Sequence, residues 1–144
     1  MKDIIQQSFR YLNRRMYTRR ELLQKLARDG FLAEEIEEAL QFLEERGYLN
    51  DEEFVKIYIE ERRNLRPRGL QVIRDELYQR GIPFSLLDSL REFFPREEEV
   101  KDAQKLIQGW LKEGKEEENI NNRLLRRGFS WEVIEEAWQK GGGS

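Results

Sequence analysis

The apolar residues of this chain follow one spacing that recurs three times around a glycine. With Gly30, Gly81 and Gly128 aligned, Leu22, Ile73 and Ile120 stand eight residues earlier, and Leu26, Leu77 and Leu124 four earlier. One residue later come Phe31, Ile82 and Phe129; six later, Ile36, Leu87 and Ile134; nine later, Ala39, Leu90 and Ala137. Positions eight and four before the glycine share one face of a helix. The glycine ends that helix in a left-handed conformation, and the apolar residue after it folds back as the hydrophobic half of the cap. A second helix starts within a few residues, with Ser85 and Ser130 as candidate N-caps in the second and third copies.

Another amphipathic helix precedes each pair. It carries Ile4, Ile5, Phe9 and Leu12 in the first copy, and Phe54, Ile57, Tyr58 and Leu65 in the second. In the third it carries Val100, Ala103, Leu106, Ile107 and Trp110. Thr18 precedes one helix, and Asp51, with Phe54 three positions on, opens another. Pro67 stops or bends the first helix of the second copy, and Pro95 separates the second copy from the third. No segment alternates with period two long enough to make a strand. The pattern predicts an all-α chain of nine helices in three tandem three-helix repeats, 1–49, 50–94 and 95–140. Residues 141–144, Gly-Gly-Gly-Ser, read as a flexible tail or an appended linker.

Composition narrows the chemistry. The 144 residues are 38% apolar and 38% charged, with no cysteine and no histidine. Thiolate metal sites, disulfides and thiol nucleophiles are excluded, together with the commonest general base near neutral pH. There is no Gly-rich phosphate loop, metal motif or nucleophile constellation, and carboxylate pairs such as Asp51 with Glu52 read as solvated caps. The expectation is a non-enzyme with no cofactor and no metal. No run approaches the roughly 20 apolar residues of a membrane span, and Met1 to Ser8 lacks a signal pattern, so a soluble cytoplasmic monomer is expected.

Most of the charge sits where helix dipoles favour it. Arg28, Arg46, Arg80, Arg126 and Arg127 lie just before glycine stops, and Glu34, Glu35 and Glu132 lie in first turns. Arg19 and Arg20, at a helix start, and Arg66 and Arg68, flanking Pro67 at the equivalent junction, oppose the dipole instead. Five arginines and no acid lie between Ile4 and Arg20, and again between Arg62 and Arg74; 11 acids and 2 bases lie between Glu34 and Glu61. The basic stretches occupy comparable places, so Arg14, Arg15, Arg19, Arg20, Arg62, Arg63, Arg66, Arg68 and Arg74 are the candidate contacts to an anionic partner. The third repeat has Lys115-Glu116-Glu117-Glu118 at that place. Phe9, Phe31, Tyr58, Trp110 and Phe129 are assigned to the core, while Tyr11, Tyr17, Tyr48 and Tyr78 are not settled by position.

The string Gly47-Tyr48-Leu49-Asn50-Asp51-Glu52-Glu53-Phe54, followed by Tyr58, Arg62, Arg68-Gly69, Ile73-Arg74-Asp75-Glu76-Leu77 and Gly81-Ile82, resembles the RecX family. The motif residues Gly47, Tyr48, Leu49, Asp51, Phe54, Tyr58, Gly69 and Gly81 are expected to be largely structural. The resemblance implies an elongated, curved module that binds the RecA protein and the RecA–DNA filament. It also implies restraint of filament growth, ATP hydrolysis and co-protease activity. Two other readings share the fold: a generic helical-repeat scaffold for protein partners, and a weak non-specific DNA binder. A net charge of −3 and acidic helices after the glycines disfavour sequence-specific reading of DNA.

Overall fold

The computed structural model describes residues 2–142. Among them are nine α-helices and no strand: α1 (Lys2–Leu12), α2 (Arg19–Arg28), α3 (Ala33–Glu45), α4 (Asp51–Leu65), α5 (Leu70–Gln79), α6 (Phe84–Leu87), α7 (Arg96–Lys112), α8 (Glu117–Arg126) and α9 (Trp131–Ala137). The triplets α1–α3, α4–α6 and α7–α9 each enclose a separate apolar cluster. Of the aligned apolar positions only Phe31 is partly exposed; the rest are buried, each large side chain contributing about 1.5–3 kcal/mol on leaving water. Gly30, Gly81 and Gly128 have φ of 95°, 86° and 93°. The N–H groups of Phe31, Ile82 and Phe129 donate back to the carbonyls of Leu26, Leu77 and Leu124 at 3.1–3.2 Å, closing each helix end as the spacing predicts.

Thr18 and Glu21 form a reciprocal capping box on α2, and Ser130 Oγ accepts the Val133 N–H on α9. Helix α4 starts at Asp51, capped by Asn50. Two expectations are corrected. Ser85 is not an N-cap: Pro83 holds that place and Ser85 lies inside α6. The Ser85 carbonyl accepts the Ser89 hydroxyl at 3.1 Å, a local bond that competes with the backbone ladder; α6 stops after Leu87, and a 3-10 turn, Leu90–Glu92, completes the repeat. Leu65 leaves the core and is 79% exposed, because the chain breaks towards Pro67 there. Of the expected tail 141–144, Gly141 and Gly142 continue a π-helical turn, Trp138–Gly142, and Gly143 and Ser144 lie outside the described residues.

Consecutive repeats meet through the same joint used twice. Thr18 and Gly69, each twelve residues before its glycine, dock on the C-terminal end of the next repeat's middle helix. The Thr18 hydroxyl donates to the Arg80 carbonyl at 2.7 Å, and the Gly69 N–H donates to the Arg127 carbonyl at 2.8 Å. A carboxylate from the next repeat's first helix then accepts the first N–H of the docked helix: Asp51 from Arg19 at 2.8 Å, and Glu99 from Leu70 at 2.7 Å. These bonds satisfy donors that a helix start leaves open.

Burial pushes the Asp51 carboxyl above its ordinary value, with Glu44 and Glu21 adding to the rise against the pull of Arg19. A carboxyl raised on folding favours the fold when protonated, and that contribution is lost as pH rises through the folded value. Asp51→Asn keeps an oxygen for the Arg19 N–H and removes the charge. Its melting temperature at pH 7 is expected to match or exceed that of the wild type, whereas Asp51→Ala costs about 1 kcal/mol. Equal losses in the two variants, read by thermal unfolding, would refute this.

Candidate anion-binding interface

The joints divide the candidate arginines into those with internal partners and those without. At the first joint Glu21 is shared: Arg80 Nε lies 2.8 Å and Arg15 Nη1 3.3 Å from its carboxylate. Burial would raise the Glu21 carboxyl, but bonds from Arg80 and the Thr18 N–H outweigh it, and the net displacement is downward. Arg15 also lies 3.6 Å over the Tyr17 ring. Arg19 binds Glu37 and Glu44 on α3. Arg62 is 3.2 Å from both the Tyr58 hydroxyl and Glu76. Arg63 spans the second joint, gripping Asp102 through two bonds at 2.8 and 3.2 Å and Glu98 at 2.7 Å. Arg74 is 3.4 Å from Asp88. For these residues the internal ion pair accounts for the charge.

Arg14, Arg20 and Arg66 have no ion-pair partner among the described residues, and the stem of Arg20 covers Gly81. Arg68 stands 3.8 Å from Glu76, and its Nε is buried with no hydrogen-bond partner. Next to Arg66 and Arg68 the fold brings two arginines that are not among the candidates, Arg123 and Arg127, the latter assigned from the sequence to a helix end. Arg127 Nη1 donates to the carbonyl of Pro67 at 3.3 Å, which seats its guanidinium at the Arg66–Arg68 elbow. Arg123 and Arg127 both lie over Trp110, at 5.7 and 5.2 Å from the ring centre. Burial, and then the fields of Arg66, Arg68 and Arg123, hold the Arg127 guanidinium below its ordinary value. The signal for Arg127 was its alignment with Arg80, combined with Val72 at the place of Glu21.

The motif residues serve the framework. Gly47 ends α3 with φ 78°, Leu49 and Phe54 are buried, and Tyr58 donates to Glu76 at 2.9 Å. Tyr48 is exposed but set edge-on to Phe9, 4.9 Å between ring centres. Of the other unsettled tyrosines, Tyr17 is buried, Tyr11 donates to Asp29, and Tyr78 lies exposed beside Phe84. Among the assigned core aromatics, Phe9, Phe31 and Tyr58 are only half-buried. Among the described residues no group of acids is arranged to hold a metal ion, and no helix is long and apolar enough to cross a membrane.

Comparison with known proteins agrees with this architecture. Residues 5–43 match the family model for the first three-helix domain of RecX, and residues 50–89 match that for the second. The regulatory protein RecX of Caldanaerobacter subterraneus is 32% identical over 138 residues, covering 94% of this chain and 69% of the relative. That of Prosthecochloris aestuarii is 33% identical over 127 residues, covering 86% and 83%. The Geobacillus thermodenitrificans protein is 30% identical, and this chain spans only 52% of its length. The crystal structure of RecX from Lactobacillus salivarius superposes with a TM-score of 0.85 over 100% of both chains at 21% identity, a likeness of fold.

Proposed function

The chain belongs to the RecX family, and from that premise we propose that it is a non-enzymatic regulator of the RecA recombinase. It binds RecA and its nucleoprotein filament in the cytoplasm as a monomer and restrains ATPase, strand-exchange and co-protease activity. Family membership carries this reading. It is supported by an array whose joints satisfy much of their own charge and leave arginines around Arg66 and Arg68 open to a partner.

The test is the ATPase of RecA on single-stranded DNA with this protein titrated in below one equivalent; turnover is expected to fall. A variant combining Arg66→Glu with Arg68→Gln should need about tenfold more protein for the same effect, a loss of roughly 1.4 kcal/mol of binding. Arg66 is exposed and takes the reversal; Arg68 is half-buried beside Glu76 and takes a neutral replacement, so unfolding should change little. Equal potency of variant and wild type removes these residues from the interface. Unchanged turnover with the wild type removes the regulatory reading and leaves a helical array with another partner.

A further inference from the structure

The two joints are built alike but charged differently, and the first serves as an internal control for the second. Arg80 and Arg127 hold the same position before their glycines, as do Arg15 and Arg66 before theirs, and Glu21 corresponds to Val72. At the first joint the Glu21 carboxylate takes both Arg80 and Arg15. At the second, Val72 packs against Gly128, where an added Cβ would lie 2.5 Å from Val72 Cγ2, and an aliphatic side chain supplies no acceptor. Of Arg66, Arg68, Arg123 and Arg127, only Arg68 pairs with a carboxylate among the described residues, Glu76 at 3.8 Å, which Arg62 already holds at 3.2 Å. Arg123 and Arg127 have only neutral acceptors, the Asn119 side-chain oxygen at 2.7 Å and the Pro67 carbonyl at 3.3 Å. The partnerless buried Nε of Arg68 is a donor with no acceptor, an arrangement that costs free energy unless something outside the chain supplies one.

We infer that Arg66, Arg68, Arg123 and Arg127 form a binding site for consecutive backbone phosphates of a nucleic-acid strand at the joint between the second and third repeats. One carboxylate can serve two guanidiniums, as Glu21 does; four need several anionic groups in close succession. A phosphodiester strand delivers one charge per nucleotide at regular short spacing. All four cations are arginine, whose planar fork pairs with phosphate oxygens in two parallel bonds, and Trp110 backs two of them and fixes their orientation. A net charge of −3 does not favour general coating of DNA, which makes a local cluster of arginines the place for a strand. The inference deepens the proposed function and rests on it for the source of the strand, the nucleic acid of the filament.

The test uses the whole chain without recombinase: fluorescence anisotropy of a labelled oligothymidylate across a salt series. Val72→Glu places at the second joint the carboxylate that the first joint has. It is expected to weaken binding at least tenfold and to lower the slope of log K against log salt by about 1.4, two contacts at about 0.7 each. Its melting temperature should stay level or rise, because Arg127 gains a partner. Arg66→Ala, which removes no internal ion pair, should lower the slope by about 0.7 and keeps the inference testable if the first variant misfolds. Oligonucleotide binding with wild-type affinity and slope in Arg66→Ala and in folded Val72→Glu overturns the phosphate site. If those same variants lose their effect on RecA turnover, the cluster meets an acidic protein surface, and the proposed function survives without this inference. A fall in oligonucleotide binding as described supports the site whether or not turnover responds.

Discussion

Gly69→Ala is expected to loosen the third repeat from the second and to lower the melting temperature by roughly 10 °C, from a loss of about 3 kcal/mol. The backbone at Gly69 has φ −75° and ψ 163°, which any residue adopts, so conformational strain is not the cause. Crowding is. A Cβ at this position would lie 2.2 Å from the carbonyl carbon and oxygen of Gly128 and 2.3 Å from the Phe129 nitrogen. These are backbone atoms at a closed helix end, and they cannot yield as a flexible side chain would. Relief requires the α4–α5 elbow to withdraw, which stretches the Gly69 N–H bond to Arg127 and the Gln71 N–H bond to Gly128, now 2.8 and 3.3 Å. Thr18 stands at the same position of the first joint and tolerates a side chain, because there the hydroxyl itself bridges to the Arg80 carbonyl. Hydrogen exchange should show lost protection at Leu70 and Phe129 before it shows any in α1–α3. A melting temperature within about 2 °C of the wild type would show that the two elbows are equally spacious.

Arg63→Ala should cost about 3 kcal/mol, while Arg66→Ala, three residues away, should cost less than about 0.5 kcal/mol. Arg63 is the strap of the second joint. Its guanidinium closes on Asp102, a carboxylate 6% exposed, and on Glu98, and lies 4.9 Å from the centre of the Phe94 ring. Removing it strands the Asp102 charge in a site with little water, and that stranded charge, more than the lost attraction, sets the cost. Companion variants separate the terms: Asp102→Asn within Arg63→Ala should restore part of the stability by removing the stranded charge. Chemical denaturation of the three variants measures both. Near-equal losses for Arg63→Ala and Arg66→Ala would mean that Asp102 finds water when its partner is gone.

Much of the architecture was legible in the order of residues. The spacing that puts Leu22 and Leu26, Ile73 and Leu77, or Ile120 and Leu124 on one face, with a glycine four residues on, is a local instruction. Helical periodicity and the left-handed stop act within a dozen residues, and the aligned positions duly line the three cores. The capping box of Thr18 and Glu21 is of the same short-range kind. Ser85 failed because its competitor was also local: Pro83 set the helix start, and the Ser89 hydroxyl bonds back to the Ser85 carbonyl.

Which arginine is left over was decided only by the tertiary structure. Arg19, Arg63 and Arg66 look alike in the sequence, each placed where a helix dipole does not ask for a cation or at the edge of a basic run. The first binds Glu37 and Glu44, the second binds a carboxylate 39 residues away, and the third binds nothing among the described residues. Arg80 and Arg127 share a position and a residue type, and they differ because Glu21, 59 residues from Arg80, is matched by Val72. Periodicity along the chain determines which face of each helix is buried. The pairing of charges depends on which helix ends the joints bring together, and a carboxylate neutralises only a guanidinium that docking has placed within a few ångströms.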